Sequence, residues 1–210
     1  MKVESFPEIE VAKGDLPYDY LKGALNSGIV ALDLETSGLD WKKDRIATCQ
    51  LYTPALSVMI VRIGKTIPGN LKLLLAEASV RKVFHHAMFD LRFMAYHWQV
   101  SPESIACTKI ASKLLDPGNR SEHSLKPLLK NYIGVEIDKT QQLSNWLSRT
   151  LSKEQLTYAA LDVVYLLPLF STLRKELEIK GLWDLATACF AHLPTRVQLD
   201  LLGFQDVYAY

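Results

Sequence analysis

Asp33 and Glu35 stand one residue apart in the run IVALDLETSGLD, at the end of a largely apolar stretch. Side chains on a strand alternate faces, so the two carboxylates point the same way. Asp90 lies in the first turn of the apolar stretch AMFDLRFMAYHW, and Asp162 sits in YAALDVVYLL between Leu161 and Val163. Tyr158 precedes Asp162 by four residues, so on a helix both project from one face. Taken singly, most of these have an ordinary explanation: a turn cap, the helix dipole for Asp90, core packing for Tyr158. Asp162 resists one, because an unpaired charge buried among leucines and valines costs several kcal/mol. Like charges ~4 Å apart repel by about 4 kcal/mol at an effective dielectric of roughly 20. A cluster of four acids is therefore sensible only if cations neutralise it or some members are protonated. All-oxygen ligands favour hard ions, Mg²⁺ or Mn²⁺, over zinc. Two such ions ~3.5–4 Å apart are the apparatus of phosphoryl transfer.

The elements that must position these acids are legible in part. Strands are predicted over Ile29–Glu35, Ile46–Thr53 and Leu56–Ile63, the last two forming an antiparallel hairpin across Pro54-Ala55. The acids of the first strand then lie where it ends, the usual ligand edge of an open α/β sheet. A short helix is expected over Leu71–Ala78, a brief strand over Lys82–His85, and a helix over AMFDLRFMAYHW. IACTKIASKLL reads as a short strand running into a helix that stops before Asp116-Pro117-Gly118, and SLKPLLKNYIG as a helix ended by Gly134. Glu136–Thr150 is polar and irregular, anchored by Trp146. Ser152 and Gln155 match a capping box, which opens a helix running to Gly181 with a kink at Pro168. Residues 182–203 read as helical again. Strands first, with helices after and around them, give an α/β fold: a mixed β-sheet flanked by helices, with a helical C-terminal end.

Composition narrows the class further. The chain has 210 residues, 49% hydrophobic and 22% charged, enough for one sizeable core and unlike a disordered segment. A formal net charge of +1 excludes a strongly basic binder while allowing a local basic patch. Cys49, Cys107 and Cys189 are odd in number and widely spaced, which reads as reduced core thiols and not as a zinc site. MKVESFPEIEV shows no apolar signal core, and runs such as ALSVMIV fall short of the ~20 residues of a membrane span. A single cytoplasmic domain over residues 1–210, with its core about 25–180 and C-terminal helices about 182–203, is expected.

The order D-x-E, then D, then Y-x-x-x-D resembles that of the DEDD 3′–5′ exonucleases, in the branch with tyrosine in the third motif. Asp33-Leu34-Glu35-Thr36, HHAMFDLRF around Asp90 and LTYAALDVVYLLPL around Asp162 carry the match. The longer stretch TQQLSNWLSRTLSKEQLTYAALDVVYLLPL is similar to bacterial ribonuclease D, and the resemblance covers roughly residues 25 to 180. It implies a ribonuclease H-like sheet of five or six strands and two divalent cations, Mg²⁺ or Mn²⁺. Asp33 would touch both metals, Glu35 and Asp162 would complete the first site, and Asp90 would hold the second. Tyr158 would orient the attacking water, since a phenol with a pKa of about 10 is mostly neutral at pH 7.

On the substrate side, the resemblance implies contacts from Thr36 and from Leu39, the latter as an apolar wedge against the terminal base or else packed beneath its turn. His86 stands where the family often has asparagine. Phe89 and Trp146 offer stacking surfaces for single-stranded bases, with core anchoring as the competing reading for Trp146. His85 reads as a structural residue at a strand end. Lys42, Lys43, Arg45, Lys109, Arg120, Lys126 and Arg149 either follow a nucleic-acid backbone or form a solvated face. The expected activity is two-metal-ion release of nucleoside 5′-monophosphates from RNA 3′ ends, with no obligate protein partner. A proofreading-type exodeoxyribonuclease acting on single-stranded DNA is the second reading. A catalytically inactive nucleic-acid-binding module and a two-metal phosphohydrolase of small phosphates are the remote ones. Longer ribonuclease D proteins carry C-terminal helical modules for which this chain leaves no room, so substrate grip does not transfer from the long form.

Overall fold

The apolar run that ends in Asp33 and Glu35 becomes a central strand. In the computed structural model, which describes residues 6–54, 56–118, 123–138, 140–207 and 209, the strands are β1 (Ile9–Gly14), β2 (Ile29–Thr36), β3 (Ile46–Tyr52), β4 (Val58–Ile63), β5 (Arg81–Phe84) and β6 (Ile105–Cys107). They form one sheet in the order β1-β4-β3-β2-β5-β6. β3 is antiparallel to both β2 and β4, while β1 pairs parallel with β4, and β5 parallel with β2 and β6. This is the mixed ribonuclease H-like sheet. The β3–β4 hairpin forms as expected, although β4 starts at Val58 and Ala55 lies outside the described residues.

The helices are α1 (Tyr18–Ser27), α2 (Gly69–Ala76), α3 (Ala87–Trp98), α4 (Thr108–Leu115), α5 (Leu125–Ile133), α6 (Lys153–Val164), α7 (Leu166–Ile179) and α8 (Trp183–Leu201). Two differences from the sequence reading stand out. The sheet begins well before residue 25: β1 and α1 extend the core toward the N-terminus, with Tyr20, Leu21 and Ala24 buried on α1. The long helix expected from Ser152 to Gly181 is two helices, broken at Tyr165 and not at Pro168. The proline lacks the N–H that would reach the carbonyl of Val164, and its ring clashes there, so the interruption falls one turn upstream of the proline itself.

α6 packs across β2, β3 and β4, which places its buried face over the end of the central strand. α8 packs on α3 and β6, and α7 on α4 and α5. Lys153–Ile179 is long and apolar enough by composition to cross a membrane, which the sequence reading missed. Here most of its apolar residues, from Ala159 to Leu177, are buried in the core.

Candidate active site

Three elements bring the acids together. β2 ends in Asp33 and Glu35, both half-buried on one side of the strand. α6 presents Tyr158 and Asp162 one turn apart, each 5% exposed. Carboxylate oxygens of Asp33, Glu35 and Asp162 all lie within 4.8 Å of one another. α3 supplies Asp90, 2% exposed in its first turn. The register explains how Asp90 is held. β2 pairs with β5 only as far as Ala31 opposite Val83, so the Leu34 N–H is free of that ladder and donates to Asp90 Oδ1 at 3.1 Å.

The neighbouring strand fixes Asp33. Gln50 lies directly opposite Asp33, and Thr48 opposite Glu35. Gln50 Nε2 donates to Asp33 Oδ2 at 2.7 Å, and Thr48 Oγ1 donates to Gln50 Oε1 at 3.1 Å. Both residues are fully buried. The sequence reading missed this pair, whose signal was two polar residues alternating within the apolar run IATCQLY.

The electrostatics follow from crowding like charges. Burial, followed by the charge on Asp33, pushes the Asp90 carboxyl well above its ordinary range. Burial, then the charge on Asp162, Glu35 and Asp33, raises the Tyr158 phenol far above its usual value, and a hydrogen bond with Asp162 adds to the shift. In the metal-free site the phenol therefore keeps its proton. The donor set suits a hard divalent ion. Mg²⁺–oxygen distances of about 2.1 Å put opposite oxygens of one coordination shell about 4.2 Å apart. Three carboxylates within 4.8 Å need little movement to reach that spacing.

The structure separates the remaining sequence-derived residues into three groups. Leu39 is 83% exposed at the tip of the β2–β3 turn, so it stands out from the turn and does not pack beneath it. A Cβ at Gly38 would lie 2.5 Å from the Asp44 carboxylate, so a larger residue there would displace the side chain that ties the turn together. Thr36 Oγ1 donates to the Gly38 carbonyl at 2.6 Å, which leaves its lone pairs for other donors. His86 and Phe89 form a stacked edge at the start of α3, with ring centroids 6.5 Å apart. Partial burial, then Lys109, Lys113 and Arg92, lowers the His86 pKa.

Trp146 is a correction: at 3% exposure, with its ring 5.8 Å from that of Tyr158, it offers no open face to a base. His85 is structural, its Nδ1 within 3.0 Å of Thr108 Oγ1. Among the basic residues, Lys43 pairs with Asp40, and Lys42, Arg45, Lys126 and Arg149 are exposed. Arg120 lies outside the described residues. Trp41, unmarked in the sequence, meets Tyr96 edge-on at 5.2 Å beside Leu39's turn. A cleft of about 420 Å³, lined by Arg45, Ile46, Lys65, His97 and Leu147, includes none of the acids.

Comparison with known proteins gives a consistent picture. A family model described as 3′–5′ exonuclease matches residues 9–178. Ribonuclease D of Haemophilus influenzae is 34% identical over 163 residues, covering 78% of this chain and 40% of that protein. DNA polymerase I of Aquifex aeolicus is also 34% identical, over 75% of this chain and 25% of its own length. The chain thus spans well under half of these curated relatives. The solved structure of Brucella melitensis NrnC superposes with a TM-score of 0.89 at 37% identity, over 97% of this chain and 98% of that one. Structures of NrnC bound to pGG and to Mg²⁺ match with a TM-score of 0.88 at 36% identity.

Proposed function

This chain belongs to the 3′–5′ exonuclease family, and from that premise we propose that it is a two-metal-ion exoribonuclease releasing nucleoside 5′-monophosphates from RNA 3′ ends. The observation that carries the reading is the convergence of Asp33, Glu35 and Asp162 within 4.8 Å, beneath a tyrosine that keeps its proton. The family uses divalent metal ions, and Mg²⁺ is bound in the NrnC relative. In this reading Asp33, Glu35 and Asp162 would hold one ion, and Asp33 with Asp90 would hold a second. Ions held there would supply Lewis-acid stabilisation of charge on the attacking and leaving oxygens.

The residues of the chain do the rest. Asp33, braced by Gln50, keeps its orientation as the charge around it changes. Asp90, whose carboxyl is raised first by burial and then by the charge on Asp33, would ionise on binding a cation. Tyr158 holds the attacking water in line with the terminal phosphodiester through its hydroxyl. The water oxygen bonds to phosphorus and sheds a proton to bulk solvent, the bond from phosphorus to the penultimate 3′ oxygen breaks, and that oxygen takes a proton from solvent. Leu39 and the His86–Phe89 edge flank the terminal nucleotide.

The ribonuclease D relative and the pGG-bound NrnC neighbour support RNA. The equally identical DNA polymerase I relative supports the second reading, an exodeoxyribonuclease. A denaturing-gel time course on 5′-labelled RNA and its DNA twin, with Mg²⁺, Mn²⁺ or EDTA, separates them. The expected result is a metal-dependent ladder shortening from the 3′ end, faster on RNA. Faster DNA cleavage favours the second reading, and absence of metal-dependent release overturns both. Tyr158→Phe is expected to slow release by about 10²–10³-fold while metal binding persists; a wild-type rate would leave the tyrosine with a packing role only.

A further inference from the structure

The loop before α6 is fastened to the site through the same residue that caps the helix. Gln155 N donates to Ser152 Oγ at 3.2 Å, and Gln155 Oε1 accepts from Ser152 N at 2.9 Å, closing a capping box. That box uses only the acceptor end of the side-chain amide, and a glutamate would serve it equally well. The donor end turns outward to the loop. Gln155 Nε2 donates to Ser144 Oγ at 2.9 Å and to the Asn145 carbonyl at 3.3 Å. Gln155 is 7% exposed, so little water competes for these bonds.

The next residue along the loop is Trp146, whose buried ring rests on Tyr158, one turn beyond Gln155 on the same helix. From the sheet side, the Arg62 guanidinium on β4 donates to the Ser148 and Arg149 carbonyls. Residues 144–149 are thus clipped between the first turn of α6 and the sheet. The clip presses Trp146 against the ring of Tyr158, while Asp162 engages its hydroxyl.

We propose that Gln155 is a positioning residue for Tyr158: through Ser144 and Asn145 it holds Trp146 on the tyrosine ring and so fixes where the hydroxyl meets the reacting water. The assignment rests on the reading of Tyr158 given above. It separates two roles of one side chain, capping and clamping, that substitution can pull apart. Gln155→Glu keeps the cap acceptor and removes the donor to Asn145. Adding Ser144→Ala removes the loop's other handle. Ser152→Ala removes the cap hydroxyl and leaves the clamp.

The measurement is kcat, KM and melting temperature for Mg²⁺-dependent mononucleotide release, in the wild-type and Tyr158→Phe backgrounds. Gln155→Glu with Ser144→Ala is expected to lower kcat about ten- to hundredfold with KM close to wild type; its melting temperature also falls, since two buried hydrogen bonds are lost, and Ser152→Ala is the control for that loss. Ser152→Ala is expected to lower the melting temperature and spare kcat. In the Tyr158→Phe background, the clamp substitutions should add no further loss, because the group they position is gone. Wild-type kcat in the clamp variant, or a loss that multiplies fully with Tyr158→Phe, overturns the clamp while leaving the exonuclease reading intact. Failure of wild-type protein to release mononucleotides, or a wild-type rate in Tyr158→Phe alone, overturns the reading on which the clamp rests, and the clamp with it.

Discussion

Helix α3 carries two clusters of charge that obey opposite rules. Toward β2 it presents Asp90 to the other acids, and burial, then the charge on Asp33, raises its pKa. Two residues on, about 200° around the helix at 100° per residue, Arg92 meets Asp200 of α8 at 2.5 Å, and Arg196 reaches the same carboxylate at 2.7 Å. The first cluster gathers like charges and costs the metal-free fold stability; the second joins opposite charges and locks α8 onto α3. The difference teaches where to look for a guest: structure alone accounts for the second cluster, whereas the first needs cations, or protons held on its acids, to balance it. α8 therefore holds in place the helix that delivers Asp90.

The largest effect should come from removing one acid of the first cluster. Asp162→Asn or Asp33→Ala is expected to cut mononucleotide release by at least about 10³-fold, and Asp162→Asn, which keeps the side chain's shape, to raise metal-free stability by about 1 kcal/mol through lost repulsion. In a protein of this size that is roughly 2–4 °C in melting temperature. An active Asp162→Asn enzyme would break the comparison outright. Metal addition sharpens it next. Mg²⁺ at a hundredfold excess over its Kd should stabilise the wild type by about 2.7 kcal/mol and Asp162→Asn by much less, read by thermal melts with and without EDTA.

These predictions lean on residues that differ in how visible they were beforehand. Asp33 with Glu35 follows from the two-residue period of a strand, and Tyr158 with Asp162 from the four-residue period of a helix, so local spacing was enough. Asp90 needed its motif, because its bond to the Leu34 N–H depends on where the β2–β5 ladder stops. Gln50 and Gln155 were invisible as partners: one depends on cross-strand register, the other on a loop folding back onto its own helix cap. β1 was missed because its IEVAKG run alternates weakly and its exposed Val11 dilutes the pattern. α1 was missed because Pro17 sits where a Ser, Thr or Asp cap would have announced it. For Trp146 both readings stood in the sequence, because composition cannot tell a ring that anchors a loop from one that receives a base, and burial leaves only the anchor.

The second cluster makes the next prediction. Asp200→Asn leaves two arginines facing each other without their shared carboxylate. All three side chains are partly exposed, at 34%, 29% and 11% for Arg92, Arg196 and Asp200, so the loss is screened. A destabilisation of about 2 kcal/mol is expected from chemical denaturation, below the cost of breaking a fully buried pair. A neutral Asp200→Asn would mean that apolar packing alone holds α8, and the contrast between the clusters would lose one side.

The smallest effect is a slope with pH, and it belongs to the like-charge cluster. Asp90 has a folded-state pKa raised above its unfolded value, first by burial and then by Asp33. Below the unfolded value the carboxyl is protonated in both states and costs nothing. As pH rises past that value, the unfolded chain releases the proton while the fold retains it. Metal-free stability therefore falls with rising pH, by at most about 1.4 kcal/mol per unit, until the folded pKa is passed. Urea melts in EDTA at stepped pH should show this decline in the wild type and its loss in Asp90→Asn. Mg²⁺ should reverse the trend, because a bound cation favours the ionised carboxylate and makes the deprotonated fold the stable one. A wild-type profile that rises with pH in EDTA and is unchanged by Asp90→Asn would show that Asp90 is not held protonated by its neighbours, and the like-charge half of the comparison would fall.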